Sequence, residues 1–367
     1  MNLVMLGDFS GRNVGHNVLL RALAHQLGRL GPERILVPTL RPGALSRVVE
    51  DLDRVRLLGV APWHGALKFR SLTLRRAVAA ADLLVLVDNQ LHDKGLGNPL
   101  RNSMGALLGL TRLAASRGIP RVYLHGSVGP LGGPRARRRA ARLARSLDHV
   151  LLRDLAALRS FEALAPGHGA RVTADAGFDP APGLTPSAGP EGDAIAVNLG
   201  AHTLTGGGPG RTAESWAATL RSVGEARDRP LVLVVTHPRD RPAAEALLQH
   251  LPAGRAALHA PSAEDFLETA PALLARTACA LGDRYHELVM FAAAGVPVVG
   301  LSGGDKVESL FEMLGQPGLV VDSSGEAARD GLAGRIERAI EGRTGLRARV
   351  AGLRAAVIGG VESLGAR

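Results

Sequence analysis

CALGDRYHELVMFAAAGVPVVGL, residues 279–301, reads as a strand, a helix and a second strand. The first run closes at Gly282, and Asp283 is an N-cap residue for a helix over 285–294. VPVVGL then resumes an apolar run of strand length. From Val289 to Leu301 the segment carries almost no polarity, so this helix and the strand after it belong in a core. Strands spaced by helices imply βα units and a parallel sheet.

The same rhythm extends along the chain. NLVMLG (2–7), RILVP (34–38), LLVLV (83–87), RVYLHG (121–126), HVLLRD (149–154) and ARVTAD (170–175) form a first series of short apolar runs. AIAVNLG (194–200), PLVLVVTHP (230–238), AALHA (256–260), the run at 279–282, VPVVGL (296–301) and GLVVD (318–322) form a second. Helices are expected near 212–227, 240–250, 263–276, 285–294 and 305–314, with two more over 325–365. Between the series lies FDPAPGLTPSAGPEGD (178–193), rich in Pro and Gly and without periodicity. The expected organisation is a domain at 1–179, a linker at 180–192, a domain at 193–342 and a C-terminal helix at 343–367 packing across the junction. The fold class is α/β, with two doubly wound, Rossmann-like domains facing across a cleft and ligand groups at the carboxyl ends of the strands. This architecture resembles the two-domain GT-B arrangement, and 367 residues suffice for two cores.

Hydrophobic residues make up 46% and charged residues 21%, as in a soluble globular protein. No apolar run approaches the ~20 residues of a membrane helix. MNLVMLGDFS lacks a basic leader and reads as a first strand, which points to a cytoplasmic chain. A single cysteine, Cys279, excludes an intrachain disulfide and a cysteine metal cluster. The formal charge is +10, and only Lys68, Lys94 and Lys306 are lysines among the cations. Such a chain suits an anionic small substrate, an anionic surface or nucleic acid. Aromatics at 3% leave no stacking platforms, which argues against nucleic acid. PRARRRAARLARSLD (134–148) reads as a helix begun by Pro134, its arginines on one face. That face is either simply solvated or a peripheral contact for an anionic lipid or polymer.

Arg284 and His286 fall at the start of the 285–294 helix, beside the positive end of its dipole. The pair makes an anion site with a titratable group; the plainer reading is that Arg284 caps a carboxylate and His286 bonds a loop. After the next strand, SGGDKVESL places Ser302, Gly303, Gly304 and Lys306 at the same kind of strand end. VVTHPRD puts His237 past another.

Taken in order, GRNVGHNVLLRAL (11–23), LHGSVGPL (124–131), LLRDLAALRSF (151–161), VTADAGF (172–178), GDRYHEL, AAAGVPVVGLS and DKVESLFEMLG resemble the polysaccharide pyruvyl transferase family over nearly the whole chain. The most specific part is G-x-R-x-H, then A-x-G-x-P, then a lysine before a helix; Gly282, Arg284, His286, Gly295, Pro297 and Lys306 fit it. The resemblance implies a GT-B-like fold and transfer of a pyruvyl group from phosphoenolpyruvate to sugar hydroxyls as a ketal. It implies no required cofactor or metal, an anionic small-molecule donor and a hydroxylated, sugar-like acceptor. Arg284 and Lys306 would bind anions, His286 would move protons, and His237 and Ser302 would line the donor pocket of the C-terminal domain. Asn13, Gly15, His125, Gly126 and Arg153 stand at motif positions on the acceptor side.

Three departures from the family pattern stand out. His16 follows Asn13 and Gly15 where G-N-x-G-D is usual. Asp88, Asn89 and Gln90, then His92 and Asp93, replace a glycine run after LLVLV, and the strand at 194 ends Asn198, Leu199, Gly200, with His202 beyond, instead of near an arginine. These point to a changed acceptor. Two readings compete: a nucleotide-sugar glycosyltransferase on the same fold, against which Met290 and Gly282 stand where a glutamate pair would be needed, and a non-catalytic binding or scaffold subunit.

Overall fold

The computed structural model describes residues 1–60, 65–98, 102–185, 192–205, 212–302, 304–323 and 329–365. Residues 186–191 of the expected linker, and Gly303, lie outside the described residues. Contacts divide the chain into two compact units: Met1–Gly11, Leu20–Ala176 and Ala355–Arg367 form one, and Arg12–Leu19 and Gly177–Arg354 the other.

The first unit is built on strands β1 (Asn2–Leu6), β2 (Arg34–Thr39), β3 (Val55–Gly59), β4 (Leu83–Val87), β5 (Arg121–Gly126), β6 (His149–Leu152) and β7 (Arg171–Val172). They form one sheet in the order β3-β2-β1-β4-β5-β6-β7, with every pair parallel. The second unit carries β8 (Ala194–Asn198), β9 (Leu231–Val234), β10 (Ala256–His259), β11 (Thr277–Gly282), β12 (Val298–Ser302) and β13 (Val320–Asp322). Their order is β10-β9-β8-β11-β12-β13, again all parallel. The two sheets are doubly wound, and each reverses direction beside its first strand, between β1 and β4 and between β8 and β11. All five residues of β4 and of β8 are buried, as expected of strands covered on both faces.

Along the chain the helices are α1 (Val14–Gly28), α2 (Pro42–Ser46), α3 (Leu72–Ala79), α4 (Met104–Ser116), α5 (Pro134–Ala144), α6 (Leu155–Leu164) and α7 (Ala201–Leu204). They continue as α8 (Ala213–Arg227), α9 (Arg241–Gln249), α10 (Phe266–Ala275), α11 (Tyr285–Ala293), α12 (Asp305–Met313), α13 (Leu332–Glu341) and α14 (Arg343–Gly365). Each starts where local chemistry permits. In α6, Asp154 accepts from the Ala157 amide at 2.7 Å; in α5, Pro134 occupies the first turn, where its missing N–H costs nothing. Ala136, Ala140, Leu143 and Ala144 are the buried residues of α5, while Arg135, Arg137, Arg138 and Arg142 are exposed.

The sequence reading missed β3. VRLLG contains an arginine and is only partly buried because it is the edge strand, so its apolar signal is weak. The run expected at 230–238 pairs only over β9, because after Val235 and Thr236 the chain turns into a short 3-10 segment at Pro238–Asp240. Among the described residues no helix is long and apolar enough to cross a membrane.

Candidate active site

Where the second sheet reverses, the loops leaving β8, β9 and β11 converge. β8 and β11 are hydrogen-bonded neighbours, with Gly282 opposite Asn198. The Asp283 amide donates to the Asn198 carbonyl at 3.2 Å, and Asn198 Nδ2 donates to Val234 O of β9 at 2.8 Å. Three strand ends are thus tied together before any charged side chain is placed.

Asp283, expected to cap α11, does something else. Its carboxylate accepts from the Gly200 amide at 3.0 Å and from Thr203 Oγ1 at 2.5 Å in the β8–α7 turn. The N-cap position of α11 is Arg284, with no side-chain cap bond. A carboxylate this buried must gather donors, and the neighbouring turn supplies an amide and a hydroxyl at once.

Arg284 is held by a residue the sequence reading did not single out. Its Nε donates to Asp240 Oδ2 at 3.0 Å and its Nη2 reaches both carboxylate oxygens at 2.6 Å. Asp240 lies after β9, is buried, and also accepts from the Ala201 amide at 2.8 Å. The plainer expectation, that Arg284 pairs with a carboxylate, therefore holds; yet among the described residues Nη1 has no hydrogen-bond partner, so one edge of the fork remains for a ligand. Burial works to lower the Arg284 pKa, but the Asp240 hydrogen bonds and the charges of Asp240, Asp283 and Glu287 outweigh it and raise the value. Gly200 makes this approach feasible: a Cβ there would stand 2.9 Å from Arg284 Nη2.

Four histidines, His286, His237, His16 and His202, lie near the β11–α11 turn. His286, in the first turn of α11, is half-buried and packs edge-on to Tyr285 at 5.5 Å between ring centroids. His237 Nδ1 accepts from the Arg239 amide at 3.1 Å. Burial lowers the His237 pKa; Asp240 opposes this, while Arg284, Arg239 and His16 add to it. The neutral imidazole is therefore favoured until an anion enters. His16 comes from the first turn of α1, whose Val14 amide donates to Thr236 O at 3.2 Å. Asn13 Oδ1 accepts from the His16 amide at 3.3 Å, and Asn13 and Gly15 count with the second unit, as do His237, Arg284 and His286. His202 is exposed, with Nε2 3.8 Å from Asp283.

β12 lies beside β11 in the sheet, so Ser302 and Lys306 leave the same carboxyl edge. Ser302 is buried and its Oγ donates to Glu308 Oε1 at 2.8 Å while accepting from the Gly304 amide at 3.3 Å. Lys306 is the second residue of α12 and is exposed.

His125, Gly126 and Arg153 lie in the first unit. His125 Nδ1 is 2.8 Å from Thr173 Oγ1, and burial pushes its pKa down to about 3. Arg153 Nε donates to Asp154 Oδ2 at 3.0 Å, with both side chains buried. Gly126 lies under the Tyr123 ring, where a Cβ would come within 2.1 Å of a ring carbon. The polar run after β4 is knitted into this unit: Asn89 Nδ2 donates to Gly129 O at 2.7 Å, and Ser103 Oγ donates to Gln90 Oε1 at 3.2 Å. Lys68, also passed over by the sequence reading, is buried with Nζ 2.7 Å from Gly7 O and 3.5 Å from Asp8; burial lowers its pKa against the pull of Asp8 and Asp88. Among the described residues no three His, Cys, Asp or Glu side chains are grouped to hold a metal ion.

Comparison with known proteins bears on the fold and the family. Anabaena HepE in complex with UDP-glucose superposes with a TM-score of 0.60 at 16% identity, covering 100% of this chain and 98% of that one. UDP-GlcNAc 2-epimerase from Neisseria meningitidis bound to UDP-GlcNAc gives 0.62 at 11% identity, covering 99% of each. A glycosyltransferase from Rickettsia africae gives 0.57 at 11% identity, covering 99% of this chain and 97% of that one. At such identities the likeness establishes the GT-B-like α/β fold. None of the curated proteins matches the chain. The profile of the polysaccharide pyruvyl transferases matches residues 13–305, a span that holds Asn13, Gly15, His237, Arg284 and His286. The chain belongs to the polysaccharide pyruvyl transferase family, whose members are transferase-type enzymes.

Proposed function

We propose that this protein transfers the pyruvyl group of phosphoenolpyruvate to two hydroxyls of one acceptor, a sugar or related natural-product or cell-surface glycan, giving a cyclic ketal and phosphate. The observation that carries the reading is the β11–α11 turn of this family member, where Arg284 keeps a donor edge open beside His286 at a helix N-terminus. Phosphoenolpyruvate brings a carboxylate and a phosphate. Arg284, aligned by Asp240, is assigned to one anionic group, with Lys306 and the amides of α11 as further cationic or donor groups. His286 is the proton carrier and His237 an accessory group of the donor pocket. Ser302 orders the β12–α12 turn, and Asn13 and Gly15 bring α1 to His286. His125, Gly126 and Arg153 shape the acceptor-side unit from within. The chemistry calls for cations, hydrogen-bond donors and proton transfer, all of which side chains can supply.

The reading places the enzyme in the cytoplasm, where such a donor is made. It includes no nucleic-acid partner and allows a peripheral contact with an anionic membrane through the arginine face of α5. Thermal stability of the protein and of Arg284→Ala, each with phosphoenolpyruvate and with a panel of nucleotide sugars, tests it. A rise with phosphoenolpyruvate that Arg284→Ala abolishes is expected. A rise with one nucleotide sugar and none with phosphoenolpyruvate overturns the reading in favour of glycosyl transfer, and full activity of His286→Ala would make the histidine dispensable.

A further inference from the structure

We propose that His16 is a second acid–base residue of this site, partner to His286; the inference rests on the pyruvyl-transfer reading. The imidazole rings of His16 and His286 lie 6.3 Å apart between centroids and stand at 77° to one another. The approach is built into the backbone. At Gly15 a Cβ would come 3.0 Å from His286 Cβ and 3.3 Å from its Nδ1, so any larger residue would push the first turn of α1 away from α11. The Val14 amide is fixed to Thr236 O, one residue before His237, and Asn17 Nδ2 is fixed to Ala263 O at 3.0 Å. α1 is therefore held from two sides with His16 facing the other two histidines.

The reaction offers work for two such groups. A diol carries two O–H bonds that must break as two C–O bonds form at C2 of the donor. At the same time a C–H bond forms at C3, and the C2–O bond to phosphate breaks. Two protons leave the hydroxyls; one ends on C3 and the other on phosphate. A protonated His286 that gives its proton to C3 and takes one from the first hydroxyl is restored to its starting state. The second hydroxyl's proton then passes through His16 to the departing phosphate, and the balance closes without any further reactant. His16 meets His286 at ring-contact distance and its charge acts on His237; of the segments that meet the start of α1, α11 and the turn before it carry Arg284, Tyr285 and His286, the segment after β9 carries His237, Arg239 and Asp240, and the loop that bonds Asn17 carries Glu264 and Asp265.

The test uses the full chain, phosphoenolpyruvate and a panel of methyl hexopyranosides offering 1,2- and 1,3-diols, with phosphate release followed from pH 5 to 9. For His16→Asn we expect kcat to fall about a hundredfold, the usual scale of a lost acid–base group, with the phosphoenolpyruvate-induced rise in Tm retained. One limb of the pH profile should vanish. His16→Asp, which restores a base at the position where the family usually has one, should recover part of the rate with that limb moved to lower pH, because a carboxyl titrates below an imidazole. Turnover by His16→Asn within threefold of the unaltered enzyme and with the same pH profile overturns the role of His16 while leaving pyruvyl transfer in place. Absence of phosphate release by the unaltered enzyme across the whole panel removes both together.

Discussion

Asp240→Asn probes the part of the site that the structure adds to the sequence. The substitution keeps the shape of the side chain and one oxygen but removes the charge and turns an NH2 toward a guanidinium. Arg284 then loses at least one of its two 2.6 Å contacts together with the charge that shortens them. A hydrogen bond to a charged group contributes about 1.5–3 kcal/mol. Arg284 is 32% exposed, so water recovers part of its solvation and the loss falls toward the lower end, about 2 kcal/mol. For a unit of ordinary domain size this lowers Tm by roughly 4–8 °C. Phosphoenolpyruvate should stabilise Asp240→Asn far less than the unaltered protein, because Nη1 is no longer aimed. A cycle with Arg284→Gln supplies the decisive number: the two residues should couple by more than 1 kcal/mol, well outside the ~0.3–0.5 kcal/mol within which independent sites add. Additive losses, or a Tm within 1 °C of the parent with the ligand response intact, would refute the claim that Asp240 positions Arg284.

Other consequences follow from the first unit. Burial pushes the His125 pKa from the ordinary 6.5 down to about 3, so its neutral form is tied to folding: nothing is lost above pH 6.5, and stability declines as pH falls from there toward 3. His125→Asn, whose residue tolerates the φ of 48° there, should flatten that decline in urea melts at pH 7, 5.5 and 4.5; an unchanged slope would show that the acid sensitivity lies elsewhere. Gly126→Ala should destabilise by about 1–3 kcal/mol or more, because the Tyr123 ring it meets is fully buried and its hydroxyl is fixed within 2.6 Å of Asp88 O and 2.5 Å of Ser127 O; adding Tyr123→Leu, which shortens the obstructing side chain, should make the two losses less than additive. Replacing Arg135, Arg138 and Arg142 of α5 by Gln should abolish co-sedimentation with phosphatidylserine-containing vesicles at low salt and leave phosphate release in solution unchanged; vesicle binding that survives the triple change would exclude α5 as the contact.

How much of this was legible before the structure depended on sequence distance. β11, α11 and β12 were readable because strand, turn and helix follow one another within 26 residues and each obeys its own periodicity. Arg284 and His286 were readable for the same reason: the turn that displays them is local. The partner of Arg284 was not. Asp240 is 44 positions away, and HPRD looks like an ordinary turn unless one knows that β9 and β11 flank β8. Asp283 was misassigned by a sound local rule. A carboxylate before a helix usually caps it, but here an amide and a hydroxyl 83 and 80 positions upstream in the β8–α7 turn, those of Gly200 and Thr203, hold its oxygens instead. His16 registered only as a departure from the family pattern, since nothing within α1 reveals that Gly15 touches a histidine 271 positions on.

The same logic explains why the departures need not mean a dead site. Gly200 stands where an arginine is usual near the end of the strand, and a side chain there would collide with Arg284 in the position Asp240 gives it. An arginine supplied by one strand end and a glycine on the next are thus parts of one arrangement. The missing acid at position 16 is likewise replaced by a titratable group, at ring-contact distance from His286. Where a cation or base is displaced in sequence yet stays at the reversal between β8 and β11, the chemistry available to the donor changes little. The run after β4 is different: the side chains of Asn89 and Gln90 bond to Gly129, Ser103 and Val87 within the first unit and recreate no donor group. Selection on the acceptor is therefore where this chain should differ from its relatives, and replacing Asn89 and Gln90 by glycine should alter acceptor preference in the diol panel while leaving the phosphoenolpyruvate-induced rise in Tm unchanged.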